Sequence, residues 1–146
     1  MEKIKNFINE ILPGLIYLSF YDYNVLAVAG QVALETGWGT SRLYKEFNNA
    51  FSIKGKGIAL ETHEFLQGKY QKVLDSFKVY ASKLESFIDY DRVIKQSFPH
   101  AYEVRSHLEP YVYALQKYGY ATDPRYAEKI LRIAKMIRDV FMREKF

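Results

Sequence analysis

VLAVAGQVALETGWG, residues 25–39, decides how this chain is read. Residues 25–34 are apolar on nearly every side, so the stretch predicts a helix buried all round at the centre of a core. Asp22 or Asn24 just ahead can cap its start, and Gly37 and Gly39 stop it. Gly30 lowers helix propensity in the middle, which close approach by a neighbouring element would explain. Glu35 therefore stands at the end of an apolar helix. Withdrawal from water and the partial negative charge of the helix C-terminus both raise its pKa. A carboxyl lifted from ~4.3 toward about 6 stays protonated long enough to serve as a general acid. The same residues also describe a helix ending in a solvated Glu with a glycine cap, and composition does not choose between the two.

Upstream, Ile4, Phe7, Ile8 and Ile11 fall at helical spacing and predict a first amphipathic helix. Pro13 suits a first helical turn, so a second helix is expected from there to about Tyr21. Downstream, 41–46 reads as a short helix. From Phe51 to about Tyr80 glycines punctuate short runs. Ile58, Leu60, Thr62 and Glu64 alternate there with Ala59, Glu61, His63 and Phe65, which reads as a strand. Helices return at 83–96, at 108–118 and from 124 to about 143. In the last, Tyr126, Ile130, Ile133, Ile137 and Phe141 make a helical stripe behind an Asp123–Pro124 cap and first-turn pair. No repeat or linker is visible. The 146 residues read as one domain, 1–146, mainly α with a small β-hairpin lobe at about 51–80.

Composition narrows the function classes. Hydrophobic residues at 49% and charged residues at 26% describe a folded globular chain and exclude a disordered one. The absence of Cys excludes disulfides and a thiol nucleophile. His63, His100 and His107 do not pair at metal-ligand spacing, so no metal and no cofactor are expected. The net charge of +4 is spread among interleaved acids and bases. That fits loose attraction to a polyanion but not a nucleic-acid binder, which clusters its basic residues on one face. Residues 1–20 start with Lys and carry apolar residues, yet Glu2, Asn6, Glu10 and Pro13 break any signal-peptide core. No run reaches the ~20 apolar residues of a membrane span. Export by another route, delivery on a larger particle, or a leader not written here are the expectations that remain.

Five motifs in order carry a resemblance. QVALETGWGTSRL resembles the catalytic-acid motif of glycoside hydrolase family 73, the bacterial glucosaminidase domains of flagellar rod-associated and autolysin types. NNAFSIKG at 48–55 is similar to that family's N-L-F-G-I-K stretch. THE at 62–64 is similar to its T-x-E strand, and SFKVYASKLESFIDY at 76–90 to its F-R-x-Y-x-S stretch. GYATDPRYAEKI at 119–130 matches the family ending almost residue for residue. The PGL near Pro13 also looks like the family's start, so the likeness covers nearly the whole chain. Departures are Ser52 where Gly is usual, Ala50 where Leu is usual, Thr36 for Ser, and Lys78 for Arg, which keeps charge but loses the bidentate fork. None touches Glu35.

The resemblance implies a lysozyme-like fold with a groove between a helical lobe and the β-lobe. It implies an endo-β-N-acetylglucosaminidase acting on peptidoglycan glycan strands, at the β-1,4 bond from N-acetylglucosamine to N-acetylmuramic acid. Glu35 would be the acid, Glu64 a second carboxylate and Tyr120 a residue facing the sugar. Glu61 and Asp75 are rivals to Glu64. Trp38, Asn49, Phe51, Lys54, Thr62, Tyr80 and Tyr118 are the implied substrate contacts. The second carboxylate would activate water in an inverting reaction or steady an oxocarbenium-like transition state; attack by the substrate's own N-acetyl group is the third option. A monomer in the cell wall, periplasm or extracellular space, or carried on a phage particle, is expected. A lytic transglycosylase or muramidase of the same superfamily and a non-catalytic wall-binding module are the alternatives.

Overall fold

The computed structural model describes residues 1–143. Helix α1 runs Glu2–Ser19 without a break, so the two helices expected on either side of Pro13 are one. Phe7, Ile8, Ile11, Leu15 and Leu18 form one buried stripe across the proline. Each such side chain contributes ~1.5–3 kcal/mol on burial, together more than the ~3 kcal/mol that an interior proline costs. Pro13 itself faces solvent, where a carbonyl without its N–H partner is hydrated.

Helix α2 is Val25–Thr36, capped by Asn24, whose side chain accepts from the Ala27 N–H at 3.0 Å. It ends at Gly37 in the left-handed conformation. It packs against α7 (Tyr126–Arg143), α1 and α6 (Leu108–Lys117), the central position its sequence predicts. Gly30 is where α7 comes closest: a Cβ there would lie 3.0 Å from the Ile130 carbonyl oxygen. Short helix α3 spans Arg42–Phe47 and α4 spans Lys83–Ser97. Between α4 and α6 lies α5, Pro99–Glu103, which five residues give too little periodicity to announce. Helix α7 starts two residues later than expected, because Asp123 closes a turn over Pro124 and Arg125 before the helix begins. Its buried stripe is Tyr126, Ala127, Ile130, Ala134, Ile137 and Val140. Ile133 is only half-buried, and Phe141 lies in an open groove against α1, 40% exposed.

The β-lobe is one antiparallel hairpin, β1 (Lys54–Leu66) with β2 (Lys69–Phe77). Gln67 and Gly68 make a two-residue turn with both φ positive, the geometry that matches strand twist. Thr62 and Glu64 share the inward face of β1, as the alternation predicts. Lys54 and Ile58 both pair with Phe77, so residues 55–57 bulge. Gly57 is required there: a Cβ would stand 2.2 Å from the Phe77 carbonyl oxygen.

Candidate active site

A cleft of about 250 Å³ opens where the end of α2, the inner face of the hairpin and the segment leading into α7 converge. Glu35, Ser52, Lys54, Thr62, Glu64, Tyr120, Thr122 and Tyr126 line it. A further hollow of about 390 Å³ shares Ser52, Lys54, Gly119 and Tyr120 with it and adds Lys78 and Arg92, so the groove continues past the acid. The groove between α1, α2 and α7 is of similar volume but is lined mostly by apolar residues, with Ser19 and Arg138. Among the described residues its lining includes no carboxylate, so the first cleft is the candidate site.

Glu35 is delivered by the last turn of α2. Burial at the end of an apolar helix pushes its carboxyl from 4.5 to about 7. A hydrogen bond from the Tyr126 hydroxyl to Oε2, at 2.6 Å, and one with the Ser52 side chain pull the other way. The negative charge of Glu64 adds to the rise and Lys54 offsets it. Near neutral pH the group therefore exists in both states, as an acid that must give and regain a proton requires.

Glu64 faces Glu35 from β1, with both oxygens engaged. Lys54 Nζ is 2.8 Å from Oε1, and the Thr122 hydroxyl donates to Oε2 at 2.6 Å. Lys54 also pairs with Asp75 at 3.0 Å. Burial alone would lower the Lys54 ammonium, but its hydrogen bonds to Glu64 and Asp75 hold it above its ordinary value. Asp75 thus anchors Lys54, while Glu61 lies on the exposed face of β1.

Tyr120 stacks on Tyr126, ring centroids 6.1 Å apart, and its hydroxyl donates to the Phe51 carbonyl at 2.8 Å. Glu35, Glu64, Tyr120, Lys54 and Thr62 are therefore brought together. The remaining residues singled out from sequence lie elsewhere. Trp38 packs edge-on against Phe7 at 5.5 Å. Asn49 is buried and organises the 49–53 turn: its amide donates to the Ile53 and Lys78 carbonyls, and its Oδ1 accepts from Phe51 and Ile53. Phe51 is buried in a stack on Tyr90. Tyr80 bonds Asp89, and Tyr118 stacks on His100 at the surface.

Sequence reasoning did not single out Tyr126, Ser52 or Thr122 for the site. Tyr126 reads as one more member of the α7 stripe. The signal that would have separated it is Gln31, one turn before Glu35 on the same face of α2. A glutamine inside an all-apolar helix needs a polar partner, and Tyr126 is that partner at 2.9 Å.

The model of the glucosaminidase family, described as mannosyl-glycoprotein endo-beta-N-acetylglucosaminidase, matches residues 17–139. The peptidoglycan hydrolase FlgJ of Vibrio cholerae is 35% identical, over 73% of this chain and 35% of FlgJ. The exo-glucosaminidase LytG of Bacillus subtilis is 34% identical, over 86% of this chain and 49% of LytG. The chain thus spans half or less of the length of these curated relatives. A crystal structure of a peptidoglycan hydrolase mutant from Sphingomonas sp. A1 superposes with a TM-score of 0.82 at 29% identity, covering 94% of this chain and 98% of that one. The glycoside hydrolase domain of FlgJ from Salmonella typhimurium superposes at 0.71 with 28% identity, covering 97% and 92%. Helix-rich with a two-stranded lobe, the fold is the lysozyme-like one of these neighbours. On the match of the family model and the identity to these relatives, the chain belongs to the glucosaminidase family, glycoside hydrolase family 73.

Proposed function

We propose that this chain cleaves the glycan of peptidoglycan as an endo-β-N-acetylglucosaminidase, with Glu35 as the general acid. The observation that carries this reading is a carboxyl at the end of a buried helix, raised to about 7, facing an ion-paired carboxylate across an open cleft. Glu35 protonates the bridging oxygen as the bond from the anomeric carbon to that oxygen breaks. Positive charge develops at the anomeric carbon, and Glu64 stands opposite to stabilise it or to take the proton of the incoming water. Water completes the anomeric carbon, and the acid regains a proton from solvent. Lys54 and Thr122 hold Glu64 in place, and Thr62 and Ser52 complete the polar lining.

The continuation of the groove past Tyr120 suits an extended strand rather than a single sugar. The bond cut is that following N-acetylglucosamine, and the site of action is the cell wall. No helix among the described residues is long and apolar enough to cross a membrane.

Mass spectrometry of reduced wall digests tests the reading. N-Acetylglucosamine at the new reducing end is expected. Muramic acid there would make the chain a muramidase, and anhydro-muramic acid a lytic transglycosylase. Binding to wall without any release would make it a wall-binding module. Glu35→Gln is expected to abolish release while the protein stays folded.

A further inference from the structure

Four buried side chains form an unbroken hydrogen-bonded line into Glu35. The hydroxyls of Tyr111 (α6) and Tyr90 (α4) bond each other, and Tyr90 donates to Gln31 Oε1. Gln31 Nε2 donates to the Tyr126 hydroxyl at 2.9 Å, and Tyr126 donates to Glu35 Oε2 at 2.6 Å. Gln31, Tyr90 and Tyr111 are fully buried and Tyr126 is nearly so. Burial holds all three phenols well above their usual value, so each keeps its proton at any working pH.

The direction of this line follows from counting protons. Each phenol has one to give. Run toward Glu35, every proton finds an acceptor. With the Gln31 amide reversed, Nε2 would face Tyr90, the Tyr90 proton would pass to Tyr111, and the Tyr111 proton would have none. Among the described residues, Tyr90 is the one hydrogen-bond partner of the Tyr111 hydroxyl. A buried donor left unmet is the costly arrangement. Oε2 of Glu35 therefore always receives a proton from Tyr126.

We propose that the line Tyr111–Tyr90–Gln31–Tyr126 is a positioning device: by occupying Oε2, it confines the transferable proton of Glu35 to Oε1, the oxygen left for the cleft. This rests on Glu35 being the acid. Without the line, a protonated Glu35 can turn its proton back to the Tyr126 oxygen, into the core and away from a substrate. The titratable groups that share the cleft with Glu35 are Lys54, His63 and Glu64 of β1, Tyr70 of β2, and Tyr120 and Asp123 before α7, and Ser52 adds a side-chain hydrogen bond to the carboxyl. None of them bonds a member of the line, so the line acts separately from the charges of the cleft.

Tyr90→Phe keeps the ring stacked on Phe51 and removes only the hydroxyl. Gln31 then turns its oxygen to the Tyr126 proton, and the Glu35 carboxylate loses its donor. On purified wall, kcat is expected to fall about tenfold with KM little changed, and the basic limb of the kcat–pH profile to move up by about half to one pH unit. Tyr111→Phe leaves Gln31 Oε1 as the one acceptor among the described residues for the Tyr90 proton, so the direction is kept and the limb should stay in place. Tyr126→Phe removes the donor to Oε2 outright, should move the limb the same way as Tyr90→Phe, and stands in should Tyr90→Phe fail to fold. Tyr23→Phe removes a neighbouring buried hydroxyl that bonds Asp91, off the line, and should leave the limb in place. A folded Tyr90→Phe with the wild-type limb and kcat, or with no more change than Tyr23→Phe, overturns the positioning role while leaving Glu35 as the acid. An active, folded Glu35→Gln overturns both.

Discussion

Replacing Glu35 by Gln should stabilise the protein in alkaline solution and leave it unchanged in acid. In the folded protein the carboxyl sits at about 7 against 4.5 for a free one. Between those values the folded chain binds a proton that the unfolded chain has lost. Stability therefore falls as pH rises through that window, and the loss is complete somewhat above 7. At ~1.36 kcal/mol per pH unit the rise corresponds to about 3.4 kcal/mol. Glu35 is half-buried and touches the water of the cleft, which trims the figure to about 2–3 kcal/mol. The amide of the Glu35→Gln variant carries no charge at any pH, and its carbonyl still accepts the Tyr126 hydroxyl. Thermal unfolding followed by far-UV circular dichroism should give equal midpoints for the two proteins near about pH 4. Near about pH 8.5 the variant should unfold ~5–10 °C higher, taking ~2–4 °C per kcal/mol for a chain of this size. Wall lysis should be lost at both. A midpoint difference that does not change with pH would refute the buried, elevated carboxyl, whatever the activity shows.

Glu64→Gln removes the charge opposite the acid and should lower kcat by about 10²–10⁴-fold in wall-release assays; wild-type release would remove Glu64 from the mechanism. Ser52→Gly relieves a left-handed backbone (φ 55°), so thermal stability measured near about pH 4, where Glu35 is protonated, should rise by ~0.5–1 kcal/mol; it also removes a hydrogen bond that lowers the Glu35 carboxyl, so the basic limb of activity should move up and the stability gain should shrink in alkaline solution. Tyr120→Phe strips the buried Phe51 carbonyl of its partner and should cost about 1–2 kcal/mol in denaturant unfolding. An activity loss without that cost would give the hydroxyl to the sugar instead. Gly30→Ala presses a methyl to 3.0 Å from the Ile130 carbonyl oxygen and 3.2 Å from its Cγ2, and should destabilise by about 1–3 kcal/mol in the same assay.

What was legible in the sequence was whatever a local pattern encodes. The apolar run of α2, its Asn24 cap and its glycine stop place Glu35 without any tertiary information. The two-residue alternation of β1 puts Thr62 and Glu64 on one face, and that is the face found in the cleft. The continuity of α1 through Pro13 was not legible. It depends on a stripe packed against distant helices, whose summed burial exceeds a penalty that local reading weighs alone. Tyr126 was hidden for the opposite reason. Its body is core and its tip is site, and periodicity sees only the body. Asn49 and Tyr80, drawn into the site by their motifs, hold the loop that presents Ser52 and the junction with α4. A motif records that a position is constrained, not whether the constraint is contact with substrate or support for what makes contact.

The proposed acid and the core are one construction. Glu35 is elevated because α2 is buried on nearly every side, and α2 can be so buried because Gly30 lets α7 close against it. The same closure carries Tyr126 to Glu35, one helical turn along α7 from Ile130, the residue that meets Gly30. Gln31, next to that glycine, bonds the Tyr126 hydroxyl from the α2 side. Spacing between the two helices thus sets the desolvation that raises the carboxyl and the hydrogen bond that limits the rise. A change that pushes α7 outward should act on both at once, admitting water to Glu35 while lengthening its bond to Tyr126. The two effects shift the carboxyl in opposite directions, so its pKa is less sensitive to helix spacing than is the orientation of its proton.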